Sequence, residues 1–248
     1  MKTEIYIATH KAYNFPKLDG YIPIHVGKAL TDLDLGILGD DTGNNISVLN
    51  PNFCELTALY WMWKNSDADV IGLVHYRRYF FENKLSNTIL TKEKIEEIFN
   101  NGIDIIVPKK IFIHSKFKPL TSKNHYIKEH NIKDWELLEE IILNLYPGYV
   151  AALEFVSKSY KSSFYNMFIM RREIFNEYCD WLFNILFLLK DKININTYDK
   201  YQARIFGFLS ERLLNIFIYN KYKICFIPVK NIEEKSIKSK IKLYTGIM

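Results

Sequence analysis

The sequence Asp69-Val-Ile-Gly-Leu-Val-His-Tyr-Arg-Arg-Tyr-Phe-Phe81 predicts a buried strand with a cationic end. In open α/β sheets, ligands bind at the carboxyl ends of the strands. Two adjacent guanidinium groups at such an end match the oxygens of phosphate groups, which indicates a doubly negative ligand. A simpler interpretation, slightly favoured for this segment taken alone, is a strand that leads into a surface loop with solvated arginines.

On both sides of this strand, the chain predicts an alternation of strands and helices. Apolar runs predict strands at 5–8, 103–107, 164–172 and 224–229, and apolar periodicity or capping signals predict helices at about 53–65, 92–100, 135–145, 150–159, 173–189 and 198–219. Residues 20–50 and 109–131 are expected to be loops, the second one mobile over the site. This order predicts a single, mostly parallel α/β sandwich at 1–230, followed by a basic tail at 231–248.

The composition limits the classes of function. A net charge of +5 in 248 residues suits phosphorylated ligands or an anionic membrane surface, but it is too small and scattered to indicate nucleic acid. The three cysteines are far apart and predict neither a disulfide framework nor a zinc site, which fits a reducing cytoplasm. Without a signal peptide or a spanning segment, a cytoplasmic protein is expected. The lysine-rich tail would either touch anionic lipid at the inner face of the membrane or form a solvated arm.

Three polar clusters interrupt the apolar elements. They are 75–78, Asn166 with Arg171–Arg172, and Arg204 with Glu211–Arg212, and they are expected to converge at one edge of the sheet. Dinucleotide and P-loop fingerprints are absent. Guanidinium groups for a diphosphate and one carboxylate as a base are the equipment for group transfer from a nucleoside-diphosphate donor.

Five blocks of the sequence resemble a bacterial family long known as a domain of unknown function. The blocks are Asp-x-Thr-Gly-x-Asn-Ile-Ser, Cys-Glu-Leu-Thr-Ala-x-Tyr-Trp-x-Trp-Lys-Asn, Ile-Gly-Leu-x-His-Tyr-Arg-Arg-Tyr-Phe, Asn-Met-Phe-Ile-Met and Gly-Phe-Leu-Ser-Glu-Arg-Leu. Members are described as capsular or exopolysaccharide biosynthesis proteins and are regarded as glycosyltransferases, some as galactofuranosyltransferases. The resemblance covers about residues 3–230. It implies a GT-A-like (Rossmann-like) fold, a UDP-sugar donor and a polysaccharide or lipid-linked oligosaccharide acceptor.

The resemblance and the positions of polar residues together suggest roles for individual side chains. The catalytic base is predicted to be Glu211, with Asp199 second; the alternative for Glu211 is a buried ion pair with Arg204 or Arg212. Acceptor contacts are predicted for Asn166, Met167 and His125. Donor and diphosphate contacts are predicted for Thr9, His10, Lys11, Asp40, Asp41, Asn45, His75, Tyr76, Arg77, Arg78, Arg204 and Arg212.

No metal ligand is assigned. GT-A enzymes generally carry Asp-x-Asp at a strand end, whereas the equivalent strand here ends in 75–78. The pairs Asp32–Asp34 and Asp67–Asp69 are expected to be solvated or capping residues by their positions. Arginine could replace the cation, so a need for Mg²⁺ or Mn²⁺ stays open. His125 and His130 are five residues apart and lack the spacing of zinc ligands on a helix.

Two further classes of function stay open at this point. A non-catalytic nucleotide- or carbohydrate-binding partner in the same pathway would use the same cationic groups. A phosphotransferase would also clamp phosphoryl groups with arginine, but no P-loop or kinase motif is present.

Overall fold

The computed structural model describes residues 1–116 and 118–233. The strands are β1 (Thr3–Thr9), β2 (Tyr21–His25), β3 (Leu38–Gly39), β4 (Val70–His75), β5 (Arg78–Phe80), β6 (Ile105–Pro108), β7 (Ile111–Phe112), β8 (His114–Ser115), β9 (Lys118–Pro119), β10 (Lys161–Ser162), β11 (Phe168–Arg171), β12 (Ile224–Ile227) and β13 (Val229–Asn231). The α-helices are α1 (Asn50–Phe53), α2 (Leu56–Asn65), α3 (Lys92–Asn100), α4 (Ser122–Glu129), α5 (Ile132–Leu145), α6 (Val150–Lys158), α7 (Arg172–Lys192) and α8 (Ile205–Phe217). Short 3-10 helices lie at Lys28–Leu30, Ser47–Leu49, Pro147–Tyr149, Ile195–Thr197 and Gln202–Arg204.

Within the described residues, nine strands form one sheet in the order β12-β6-β11-β4-β1-β2-β3, with β5 and β13 added beside β4. Strands β1 to β4 run parallel, and β12 is parallel to β6. Only β11 in the main order runs antiparallel to both of its neighbours. The predicted mixed α/β architecture with a mostly parallel sheet is therefore confirmed.

The sheet is covered on both faces, as its apolar strands require. One core cluster contains Trp135 of α5, Phe183 of α7 and Phe206 of α8, all buried. A second cluster contains Phe80 of β5 and Phe99 of α3. Gly72 permits close packing in the middle of β4, because an added Cβ would lie 2.8 Å from Ile5 Cδ1 and 2.9 Å from Ile169 Cγ1.

Several predicted boundaries were wrong. Strand β2 lies inside the expected loop 20–50, and α4 lies inside the expected loop 109–131, where the Thr121 hydroxyl accepts a hydrogen bond from Asn124 N. The strand expected at 164–172 begins only at Phe168, because Tyr165 and Asn166 have φ of 80° and 52° and turn the chain. Helix α4 and the turn before β11 both bear on the site described below.

The carboxyl-terminal part of the described chain belongs to the sheet. Strand β13 pairs with β5 and extends to Asn231, so it crosses the predicted domain boundary at 230. The basic tail predicted for 231–248 lies outside the described residues from 234 onward. Among the helices of residues 1–116 and 118–233, none has the length and apolar character needed to cross a membrane.

Candidate active site

The carboxyl edge of the sheet brings the ends of β1 and β4 together with the turn before β11. Thr9 ends β1 and pairs with His25 of β2, while His75 of β4 pairs with Ala8 of β1. Because β11 runs the other way, its amino end lies at this same edge, with Phe168 opposite Leu73. The turn just before β11 therefore lies beside the tip of β4.

A cationic rim surrounds the ring of Tyr76 at this edge. Lys11 Nζ lies 4.8 Å and Arg77 Cζ 5.5 Å from the centre of the ring, and the ring of His10 packs edge-on at 5.7 Å. We call His10, Lys11, Arg77, Arg78 and Arg204 the basic rim. Burial lowers the pKa of His10, and the positive charges of Lys11, Arg77 and Arg204 lower it further.

Tyr165 links the tip of β4 to helix α8 through its backbone. The carbonyl of Tyr165 accepts a hydrogen bond from His75 Nε2 at 2.6 Å, and its N–H donates to Glu211 Oε1 at 2.8 Å. Arg78 Cζ lies 4.8 Å from the centre of the Tyr165 ring. Since the φ of 80° at Tyr165 is costly for a residue with a side chain, this turn is a strained segment at the site.

This arrangement changes the role expected of His75. Its Nε2–H is used by the carbonyl of Tyr165, and burial lowers the pKa of the ring. A neutral His75 therefore has Nδ1 left as an acceptor, which does not suit the phosphate donation suggested by the sequence.

Glu211 lies in a cavity of about 320 Å³ beside the basic rim. Arg212 Nη1 donates to Glu211 Oε2 at 2.8 Å, and Arg212 Nη2 donates to His125 Nδ1 at 3.0 Å. Burial raises the pKa of Glu211 although Arg212 opposes the shift, and burial together with Arg212 lowers the pKa of His125 to about 4. The remaining lining residues are Glu129, His130, Phe164, Tyr165, Tyr201 and Phe208.

The other two residues predicted to contact the acceptor are internal. Asn166 is 1% exposed; its amide donates to Glu55 Oε1 at 2.6 Å and to the Gly207 carbonyl at 3.0 Å. Its Oδ1 accepts from the Ser210 hydroxyl at 2.9 Å, so this side chain joins α2 and α8. Met167 is fully buried in the second core cluster. Of the three predicted acceptor residues, only His125 lines the cavity.

The predicted convergence of Arg171 and Arg172 with the site was wrong. Arg171 ends β11 and Arg172 follows it, at the opposite edge of the sheet, because β11 is antiparallel to β4. Arg171 donates to the carbonyl of Phe99, and Arg172 Nε donates to the carbonyl of Ala68 at 2.7 Å. These arginines hold the amino edge of the sheet.

Asp199 and Asp40 have structural contacts that the sequence did not indicate. Asp199 is exposed, and its Oδ1 accepts from the N–H groups of Tyr201 and Gln202 at 2.8 Å, as a cap of the 3-10 turn before α8. Asp40 is fully buried and accepts from Gly27 N at 2.9 Å, Lys28 N at 3.1 Å and the Ser47 hydroxyl.

The remaining predicted donor residues lie near the ends of β1 and β3. Asp41 is exposed, and Asn45 donates to the carbonyls of Asp41 and Gly43. The Thr9 hydroxyl donates to the Lys11 carbonyl at 2.7 Å, so it shapes the turn that carries Lys11. Arg204 is exposed and donates to Cys54 Sγ at 3.3 Å.

Comparison with known proteins gives this fold a family. The sequence matches, over residues 4–222, the family described as a domain of unknown function, DUF4422. The chain belongs to the DUF4422 family. Among solved structures, this DUF4422 chain is similar to the apo structure of WbbM, a bifunctional glycosyltransferase, with 34% sequence identity and a TM-score of 0.82. No curated protein matches the chain.

The two proteins differ in length. The similarity covers 94% of this DUF4422 chain and 46% of WbbM, so the chain spans slightly less than half of that protein. The predicted relation to a glycosyltransferase family is confirmed at this level. The galactofuranose donor and the capsular pathway stay predictions.

The two Asp-x-Asp pairs of the DUF4422 chain lie in different parts of the structure, and the need for a metal stays a prediction. Asp67 pairs with Lys2 and Asp69 accepts from Lys2 N, and both precede the amino end of β4, away from the basic rim. Asp34, in an exposed loop, accepts from Gly36 N. Within residues 1–116 and 118–233, no cluster of three or more His, Cys, Asp or Glu side chains could hold a metal ion.

Sequence reasoning missed Glu55. It precedes α2, directly after Cys54, whose φ of 52° bends the chain between α1 and α2. The carboxylate of Glu55 accepts from Asn166 and acts on the pKa values of His75 and Glu211, which it raises. The available signal was its place in the Cys-Glu-Leu-Thr-Ala block. An acidic residue directly before a helix is, however, usually explained by its favourable interaction with the helix dipole.

Proposed function

We propose that this protein is a glycosyltransferase that moves one sugar from a UDP-sugar to a hydroxyl group of a saccharide acceptor. The observation that carries the proposal is the 34% identity, over 94% of the chain, to part of a bifunctional glycosyltransferase. The position of the basic rim and of Glu211 at the carboxyl edge of the sheet supports it independently, since ligands of open α/β sheets bind there.

The donor end of the site is the basic rim. The leaving diphosphate gains negative charge as the bond to the sugar breaks, and Lys11, Arg77 and Arg78 can stabilise that charge. Tyr76 holds Lys11 and Arg77 against its ring, which limits the entropy that they lose on binding. We assign Asp41 and Asn45 to the ribose or donor sugar, and Asp40 to holding the loop that carries them.

The acceptor end is the cavity around Glu211. His130 stacks on Phe208 with ring centres 4.2 Å apart, and Tyr201 stacks on His130 at 5.8 Å, which gives an aromatic wall of the kind that binds sugar faces. The hydroxyl oxygen of the acceptor attacks C1 of the donor sugar, and the electrons of the C1–O bond leave with UDP. Glu211 takes the proton of the attacking hydroxyl.

The environment of Glu211 suits such a base. Burial raises its pKa, which moves it toward the operating pH, where general bases are most effective. Its side chain is 20% exposed at the cavity, whereas that of Arg212 is 3% exposed. Arg212 thus holds the carboxylate from the protein side and leaves the cavity side to the acceptor.

The finer identity of the substrates is also part of the proposal. We assign a UDP-linked hexose, with galactofuranose as the first sugar to test, and a polysaccharide or lipid-linked oligosaccharide acceptor of capsule or exopolysaccharide synthesis in the cytoplasm. The basic rim supplies positive charge in the place of a metal, and a comparison with and without Mg²⁺ or Mn²⁺ tests that assignment.

Calorimetry of the full chain with UDP and a panel of UDP-hexoses tests the proposal. We expect UDP and at least one UDP-hexose to bind, and UDP to be released only when a saccharide acceptor is added. Failure of every uridine nucleotide to bind would overturn it. Binding of UDP without turnover on any acceptor would instead identify a non-catalytic nucleotide-binding partner.

A further inference from the structure

A second surface, separate from the basic rim, carries exposed aromatic side chains. In the described residues, five Phe or Tyr side chains are exposed, and one of them, Tyr201, belongs to the cavity. The other four lie on α6, on β7, on β12 and directly before β10, beside the sheet edge formed by β12. They are Phe112, Phe155, Tyr160 and Phe226, exposed by 38% to 49%.

These side chains form one continuous face. Strand β10 pairs with β7, so Lys161 is opposite Phe112, and the Phe112 and Tyr160 rings stack with centres 6.3 Å apart. A separate cavity of about 320 Å³ is lined by Lys110, Phe155, Lys161 and Phe226 among others. We call Lys110, Phe112, Phe155, Tyr160, Lys161 and Phe226 the basic aromatic face.

The segments that carry this face are rich in lysine. The segments 105–120, 155–172 and 212–232 contain neither Asp nor Glu, and the first two supply Lys109, Lys110, Lys116, Lys118, Lys158 and Lys161. Glu154, at the flank, is paired with Lys158 at 3.7 Å. Lys110 Nζ lies 5.4 Å from the centre of the Phe226 ring, so cation and aromatic group are presented together.

We propose that the basic aromatic face binds the surface of an anionic lipid bilayer. Aromatic side chains partition into the headgroup region, and lysines beside them are attracted to anionic lipids. Four half-exposed aromatic groups lie among six lysines, of which only Lys158 is paired with a carboxylate in the described residues. This combination matches both properties of that surface. A purely electrostatic partner would not need the aromatic groups, and a purely apolar partner would not need the lysines.

The face also leads directly to the acceptor cavity. The chain runs from Tyr160 and Lys161 on the face to Phe164 and Tyr165 in the cavity. Four extended residues span about 13 Å, a length that a short lipid-linked saccharide can bridge. This link to the acceptor rests on the proposed function; binding to the bilayer does not.

Co-sedimentation of the full chain with vesicles tests the proposal. The vesicles contain phosphatidylcholine alone or phosphatidylcholine mixed with phosphatidylglycerol. In the face variant, Lys110→Gln and Lys161→Gln remove the two charges of the face, and Lys109→Gln removes the charge beside it. In a matched control, Lys17→Gln, Lys133→Gln and Lys192→Gln remove three exposed charges elsewhere. Both variants keep the residues from 234 onward, so any contribution of that segment is the same in each.

We expect the natural chain to bind phosphatidylglycerol vesicles and the face variant to bind them about 100-fold more weakly, while the control loses little. A further variant, Phe112→Ser with Phe155→Ser, should weaken binding with all charges intact. If the natural chain did not bind anionic vesicles at physiological ionic strength, the proposal would be overturned. The lysines would then serve to prevent the edge strand from pairing with another chain. Equal losses in the face and control variants would overturn it as well.

The same variants separate this inference from the proposed function. Transfer to a water-soluble saccharide acceptor should be unchanged in the face variant, because the basic rim and Glu211 are untouched. If no uridine nucleotide binds but the chain binds anionic vesicles as expected, the proposed function is wrong and the proposed bilayer-binding face is supported.

Discussion

The backbone N–H of Tyr165 donates a 2.8 Å hydrogen bond to the carboxylate of Glu211. The carbonyl of the same residue accepts from His75 at 2.6 Å, so one strained turn fixes the tip of β4 against α8. The cations after β4 and the carboxylate on α8 are thereby held in a defined relation. In the proposed function, a donor diphosphate at the rim and an acceptor hydroxyl at Glu211 would bind at the two elements that Tyr165 joins.

Replacing Glu211 by Gln should lower kcat by about 10²- to 10⁴-fold, the usual contribution of a general base. Gln keeps an oxygen for the Tyr165 N–H, so UDP affinity should stay near its natural value. Steady-state transfer kinetics and UDP calorimetry measure the two effects. The acid limb of the natural kcat/KM profile should lie above pH 4.5, because burial raises the pKa of Glu211.

The matched control is Asp199→Asn, since Asn caps a turn as well as Asp does. We expect near-natural activity and stability from it. Glu211→Ala should unfold more easily by about 3–5 kcal/mol, because it leaves the Arg212 charge buried without its partner. If the Glu211→Gln enzyme retained full kcat, Glu211 would not be the base, and its ion pair with Arg212 would have only a structural role.

Replacing Arg77 by Gln should weaken UDP binding by about 10- to 100-fold, the cost of a lost hydrogen bond to a charged group. The side chain of Arg77 is 38% exposed and its guanidinium lies over the Tyr76 ring at the rim, so little loss of stability is expected. Calorimetry at several salt concentrations measures the effect, and the natural affinity should fall as salt rises.

Arg171→Gln provides the comparison for Arg77→Gln. It removes the same charge from the opposite edge of the sheet, where Arg171 donates to the Phe99 carbonyl and lies 3.8 Å from Asp104. Thermal stability should fall and UDP affinity should not. Equal weakening of UDP binding in both variants would mean that only net charge matters, and the rim would lose its assigned role.

The architecture was predictable because its strands are encoded locally. The apolar run Val70–Val74 and the apolar period of α8 indicate burial directly. Strand β4 lies where the pattern indicated, whereas α8 covers only Ile205–Phe217 of the helix predicted at 198–219, because a 3-10 turn precedes it. Strand β2 was missed because Pro23 interrupts it and its neighbours resemble a loop. Helix α4 is polar on most positions, so apolar periodicity could not reveal it.

The site was only partly predictable, because the sequence of a strand does not show whether it runs parallel or antiparallel to its neighbours. The arginines after β11 look the same as those after β4, but an antiparallel β11 puts them at the wrong edge. Conversely, the place of Glu55 in its sequence block does not show which group it contacts; it joins the site because Asn166, far away in sequence, donates to it. Local patterns thus located the rim and Glu211 but not their partners.

Replacing Glu233 by Gln should strengthen UDP binding by about two- to fivefold. Its carboxylate lies 3.9 Å from Lys11 Nζ and 3.6 Å from Arg77 Nη1, so it competes with a diphosphate for the rim. Exposed pairs of this kind are weak, which limits the gain. Asp19→Asn removes an exposed acid that pairs with Lys92 at 2.9 Å and should leave UDP affinity unchanged. A weaker affinity in the Glu233 variant would contradict the competition.

The stability of the chain should fall as the pH drops from about 6.5 to about 4, in part through His125. Burial is the main cause that lowers the pKa of its ring from 6.5 to about 4, and the charge of Arg212 is the second. Lys128 and His130 also lower this pKa, whereas Glu129 raises it. Between these pH values the unfolded chain binds a proton that the folded ring does not, so acid favours unfolding. Allowing for solvent at the cavity, the loss should be about 1–2 kcal/mol.

His125→Gln removes this titration while Gln can still accept from Arg212. Urea unfolding of the natural chain and the variant, measured across this pH range, gives the difference in slope. The variant should lose less stability toward low pH, and the two free energies of unfolding should converge as the pH approaches 4. Parallel curves would show that His125 is protonated equally in the folded and unfolded chain, and the cavity would then have to hold His125 as a cation beside Arg212.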